Sequence, residues 1–212
     1  MNAVRNAPAA ALIVLALACA RTDSPDPAPA GNGGQVVTQP VVDLACQPSA
    51  NMPVEGRQSP YDSVTVSAAD QAFRVCYGRP AAQGRQIFGG LVPYGSLWRT
   101  GANEATILHL PFEADIAGLR VPPGSYSLYT VPQESGEWEL IINRSISQWG
   151  HPSSYTDEVR SQELGRATIR TERMDQSVEL FTIRGESVQG GADLLLEWDR
   201  TRARVPVRVV AG

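Results

Sequence analysis

Apolar and polar positions alternate through most of the chain beyond about residue 59. In DSVTVS (62–67) Val64 and Val66 stand against Ser63, Thr65 and Ser67, and in QAFRVCY (71–77) Phe73, Val75 and Tyr77 share one parity. A period of two marks a half-buried strand, and Ala68-Ala69-Asp70 between the runs reads as the turn of a hairpin. The same texture predicts strands in ATILHL (105–110), on both sides of Ala117-Gly118 in ADIAGLRV (114–121), after the Pro-Gly turn of PPGSYSLYTVP (122–132), and in WELIIN (138–143). Four more follow: RATIRTE (166–172), SVELFTIR (177–184), DLLLEWD (193–199) and ARVPVRVV (203–210). In the last, Val205, Val207 and Val209 face one way, and Pro206, which has no N–H for a ladder, marks an edge position. Two segments break the pattern: the glycine-rich run 78–95, and 144–165, which has room for one short helical turn. No helical period is sustained. Short strands at roughly 8–12 residue spacing predict an all-β fold, a single antiparallel β-sandwich or jelly-roll-like domain with long loops over 59–210.

The N-terminus has a different texture. Arg5 precedes APAAALIVLALA (7–18), an apolar run of signal-peptide length and too short to span a bilayer. It ends on Ala16-Leu17-Ala18-Cys19, which suits lipoprotein processing at Cys19; the same Ala-x-Ala also suits ordinary signal cleavage. RTDSPDPAPAGNGGQVVTQP (21–40) then reads as a tether too polar to bury a core. The expected organisation is therefore a signal peptide over 1–18, a lipid-anchor Cys and flexible tether over 19–58, and the β-domain. The expected location is the cell envelope, on the periplasmic or outer-membrane side, or else the secreted fraction.

Composition narrows the function. The net charge of −4 and the pI near 5.2, with no basic block, exclude a nucleic-acid partner. All 18 basic residues are Arg, so no Schiff-base or phosphate-loop lysine exists. With Cys19 set aside for lipid, Cys46 and Cys76 are the pair left for a disulfide in an oxidising compartment, two free thiols being the alternative.

The strings GRPAAQGRQIFGGLVPYGSLWRTGANEAT (78–106), LRVPPGSYSLYTVP (119–132), EWELIINRSISQWG (137–150) and ADLLLEWDRTRARVPV (192–207) resemble a family of exported bacterial proteins known only as domain of unknown function 2911. The resemblance spans the whole predicted domain. It implies a secreted or lipid-anchored, mostly β protein and no particular activity. Cys76 departs from the family pattern, which ties the disulfide to a subgroup.

Polar groups crowd the mouth of the 105–110 strand: Trp98, Arg99, Asn103 and Glu104. One reading is a brace, in which Gly101 supplies a positive φ, the turn brings Arg99 to Glu104, and Asn103 caps backbone groups. The other is a ligand site, with Trp98 as a stacking platform, joined by Arg79 and Arg85 of the glycine-rich loop and by Gln148 and Trp149 of the second excursion. His109 reads as a half-buried strand histidine, and no cofactor or metal is implied. The expectation is a membrane-anchored module that binds a saccharide or other small polar ligand through end loops without catalysis. The alternatives are an envelope glycan hydrolase using Glu104 with Asp157 or Glu158, and a structural domain with no ligand.

Overall fold

A computed structural model of the chain describes residues 43–48 and 53–210. The signal-peptide and Cys19 expectations lie outside these residues, as does the expected tether except for its last part, 43–48 and 53–58. Within them the domain is all-β. Its strands are β1 (Tyr61–Ala68), β2 (Gln71–Gly78), β3 (Thr106–Leu110), β4 (Ala114–Ile116), β5 (Leu119–Val121), β6 (Gly124–Val131), β7 (Glu137–Asn143), β8 (Glu163–Val188) and β9 (Gly191–Val209). They form one nine-stranded sheet in the order β1-β2-β3-β6-β7-β8-β9-β4-β5, and every pairing is antiparallel.

The four strands expected at the C-terminus are two. β8 and β9 pair along most of their length, with register shifts at Arg173/Val178 and Val178/Thr182. Opposite Val178 sits Asp199, in the left-handed region at φ 49. An irregular residue here resets the side-chain phase. Leu194, Leu196 and Trp198 precede it on even positions, Ala203, Val205 and Val207 follow on odd ones, and all six enter the same core. The bend lets the far half of the hairpin fold back over the near strands. Phe181 N–H donates to Pro80 O at 2.9 Å and Ala82 N–H to Glu179 O at 2.8 Å, closing this layer onto the end of β2. The result is sandwich-like. Pro206 is not on an edge: β9 lies between β8 and β4. The proline falls where pairing with β8 has stopped at Arg204 and pairing with β4 begins at Val207, so no rung needs its missing N–H.

The inner face is apolar and rich in aromatic rings. Phe73, Leu108, Leu110, Leu128, Leu140 and Trp198 share one buried cluster. The strands' opposite face is covered more thinly. Segment 144–162 lies over it, carrying a single turn of 3-10 helix at Pro152–Ser154 and the short helix α1 (Asp157–Arg160) capped by Thr156. Tyr155 and Val159 from this flap pack on Ala105, Tyr129 and Ile141 as a second, small cluster.

Candidate functional site

Alternation along β3 and β6 sets the floor. Leu108, Leu110, Tyr126 and Leu128 point into the main core, so Ile107, His109, Ser125 and Ser127 point the other way. His109 and Ser125 are direct cross-strand partners. The His109 ring bonds Ser125 Oγ at 2.8 Å through Nδ1. His109 Nε2 has no hydrogen bond to any described residue. Burial pushes the His109 pKa below its ordinary 6.5, with Arg74 acting in the same direction and Asp43 opposing.

Three pieces wall this floor into a cleft of about 480 Å³, lined by Tyr61, Glu104, Ile107, His109, Ser125, Gln148 and by Asp43, Ala45, Gln47 and Pro48. The first wall is the strap 43–48. Cys46 is joined to Cys76 of β2 with a Cα–Cα distance of 5.7 Å, and Cys76 pairs with Ile107 in the floor. Asp43 Oδ1 accepts from Ala45 N–H within the strap at 2.8 Å. The disulfide is thus the strap's tie to the sheet among the described residues.

The second wall is Glu104, which is 7% exposed. Arg57 Nη1 donates to both of its oxygens, at 3.1 and 2.9 Å. Arg57 also donates from Nε to Pro53 O at 2.8 Å and its guanidinium lies 5.8 Å from the Tyr61 ring centre. Burial, then the Glu104 charge, push the Tyr61 hydroxyl up to about 12, so it is a neutral donor at any physiological pH.

The third wall is the start of the flap. Gln148 Nε2 donates to Tyr129 OH at 2.9 Å, Ser145 O at 3.0 Å and Ser127 Oγ at 3.2 Å, while Ser145 Oγ donates to Gln148 Oε1 at 2.8 Å. These bonds hold Ile146 and Ser147 over the cleft. Further along, Asn143 Nδ2 donates to Val159 O at 2.7 Å and Tyr155 OH to Glu163 Oε1 at 2.7 Å, pinning the rest of the flap.

The two excursions singled out in the sequence do meet. Trp149 forms an isolated antiparallel bridge with Glu104, and Gly150 N–H donates to Asn103 O at 3.2 Å. A β-carbon at Gly150 would lie 2.7 Å from Asn103 O and 3.0 Å from Ala105 N, so only glycine lets the backbones touch.

Of the residues proposed for a ligand, Glu104 and Gln148 line the cleft and Trp149 stands behind it, half-buried. The others do not face it. Trp98 is 7% exposed and is no platform. Trp198 stacks on it at 5.7 Å, Phe181 and Phe88 meet it edge-on at 5.2 and 5.7 Å, and its Nε1–H is bonded to Gly101 O at 3.1 Å. Arg99 does not pair with Glu104: its Nη1 donates to Asn103 O at 2.8 Å, and burial lowers its pKa. Positive φ falls on Thr100 and Asn103 rather than Gly101, whose hydrogen is needed for space against Gly78 O and Thr106 Oγ1. Arg79 clamps the layers, donating to Phe181 O, Thr182 Oγ1 and Asp62. Arg85 bonds Ala81 O and Ala82 O of its own loop.

A family model described as "Protein of unknown function (DUF2911)" matches residues 59–207. The chain belongs to that family. No curated protein and no solved structure matches it. The matched stretch contains β1 through Val207 of β9, hence the floor and the flap. Arg57 and the strap precede it, so this member's cleft is completed by chain outside the family domain.

Sequence reasoning missed Arg57, Tyr61, Ser125 and the strap. The signal for Ser125 is its parity with Ser127 and Tyr129, which makes an unusually polar second face. Nothing in the spacing links Arg57 to Glu104. Among the described residues no three of His, Cys, Asp and Glu gather as metal ligands.

Proposed function

We propose that this protein is a lipid-anchored module of the cell envelope that binds a small polar ligand of saccharide type in the β3–β6 cleft and does not turn it over. The observation that carries the reading is the cleft itself: an aromatic wall, Tyr61, beside a floor of Ile107, His109 and Ser125. Its volume of about 480 Å³ falls in the usual range for ligand pockets. Sugars are held by such a mixture, with C–H faces on rings and hydroxyls on neutral donors and acceptors. The binding reading is favoured over a hydrolase because both Glu104 oxygens are engaged by Arg57, and Asp157 and Glu158 do not line the cleft. The rest of the Trp98–Asn103 string acts as a brace, its side chains spent on the core and on backbone carbonyls.

The test is a thermal-shift screen of glycan fragments with the disulfide intact. Ser147 is exposed, so Ser147→Trp should fold normally and fill the cleft. A fragment that stabilises the wild type and not this variant supports the proposal; fragments that stabilise both equally, or none at all, refute it. Turnover of a bound fragment that Glu104→Gln abolishes would establish the hydrolase instead. For anchoring, Cys19→Ser should move the protein out of the membrane fraction.

A further inference from the structure

The charges around the cleft narrow the ligand class, an inference that rests on the binding reading above. We propose that the cleft selects an uncharged ligand bearing hydroxyl and amide groups, of which an N-acetylated hexose is the plain example, and disfavours anionic sugars. Recognition of a carboxylate or phosphate calls for a cation with donors to spare, best an arginine offering its fork. The cation beside this cleft is Arg57. Its Nη1 is held by both oxygens of Glu104 and its Nε by Pro53 O. The side chain is 1% exposed, so it cannot swing out to an incoming anion. Of the other guanidiniums nearby, Arg74 donates to Thr65 Oγ1, Arg99 donates to Asn103 O, and Arg144 lines a separate pocket on the flap; none of the three lines the cleft.

Negative charge, in contrast, stands at the mouth. Asp43 is exposed, and one of its oxygens is left over after the bond to Ala45 N–H. An anion entering past it meets like charge, with little relief from the neutral floor. What the cavity offers a ligand is the Tyr61 hydroxyl, which makes no hydrogen bond to a described residue, together with His109 Nε2 and the remaining capacity of Ser125 Oγ. All three are neutral at pH 7. Between them lie Ile107 and Ile146, apolar surfaces that an acetyl methyl group and the C–H face of a ring would cover.

The experiment is calorimetric titration of the disulfide-intact domain with two trisaccharides of similar size, chitotriose and trigalacturonate. Chitotriose should bind at least tenfold more tightly, and Ser147→Trp should abolish its binding. Asp43→Asn, a surface change with no bearing on folding, should narrow the gap between the two sugars severalfold. Trigalacturonate binding as tightly as chitotriose, and lost in Ser147→Trp, would overturn the charge argument while leaving the cleft a binding site. An unchanged ratio in Asp43→Asn would count against it in the same way. If neither sugar binds, the saccharide reading falls, and this inference with it.

Discussion

The two faces of β3, β6 and β7 carry opposite chemistry on the same strands. Inward, Leu108, Leu128, Trp138 and Leu140 join a continuous cluster sealed by Trp98, Trp198, Phe88 and Phe181. Outward, His109, Ser125, Ser127, Tyr129 and Asn143 are bonded to one another or to the flap, and between flap and strap a cleft reaches His109 and Ser125. The inner face is organised by packing, where any lost volume leaves a void. The outer face is organised by individual hydrogen bonds, so single groups can be spared for a ligand. Stability should therefore be concentrated on one side and recognition on the other.

The comparison breaks most readily at Trp98. Trp98→Ala should cost about 3–5 kcal/mol in chemical denaturation, the usual penalty for emptying a buried aromatic site. A loss no larger than that of an outer-face change would mean the ring cluster is not the keystone. Next comes the strap: Cys46→Ser should cost about 3–4 kcal/mol through the lost cross-link. It should also abolish the protection that a cleft ligand gives, because the wall is no longer held. A smaller effect is expected for Gln148→Ala, about 1–2 kcal/mol, since Tyr129 and Ser127 lose a shared partner. Hydrogen exchange should then quicken in the flap 144–162 and stay unchanged in β2; quickening everywhere would erase the distinction between the faces.

The least expected effect concerns pH. The folded His109 ring resists protonation that the unfolded ring accepts at its ordinary 6.5. The unfolded state then binds more protons, so stability is full above that value and declines as pH falls through it, until the folded ring also titrates. His109→Gln should flatten this part of the curve. The further loss at lower pH, from Glu163, Asp193 and Glu197, whose arginine partners hold their pKa values down, should remain in that variant.

Much of the fold was legible because strand alternation is a local signal: the β1–β2 hairpin, the turn at Ala117-Gly118 and the break after Asn143 stand where the parity changes. The union of β8 and β9 into two long strands was not, since the phase shift rests on Asp199, a residue with no turn-forming glycine beside it. The site was half legible. Gln148 and Glu104 were found because they are polar groups next to strand ends. Arg57 and Ser125 depend on tertiary approach and on register, which spacing does not encode. Trp98 misled because a tryptophan beside arginine and asparagine suits a stacking platform and a core plug equally well; only the arrival of Trp198 from the far hairpin decides between them.

The Cys46–Cys76 link also fixes how the domain would bear a load. A pull applied through the residues before Cys46 enters the sheet at β2 and bypasses the loop that the two cysteines close, a sequence separation of 30. β1 is then shielded from peeling, and force acts along a strand flanked on both sides. Stretching experiments should show a contour about 100 Å longer once the link is reduced, the extended length of the released loop.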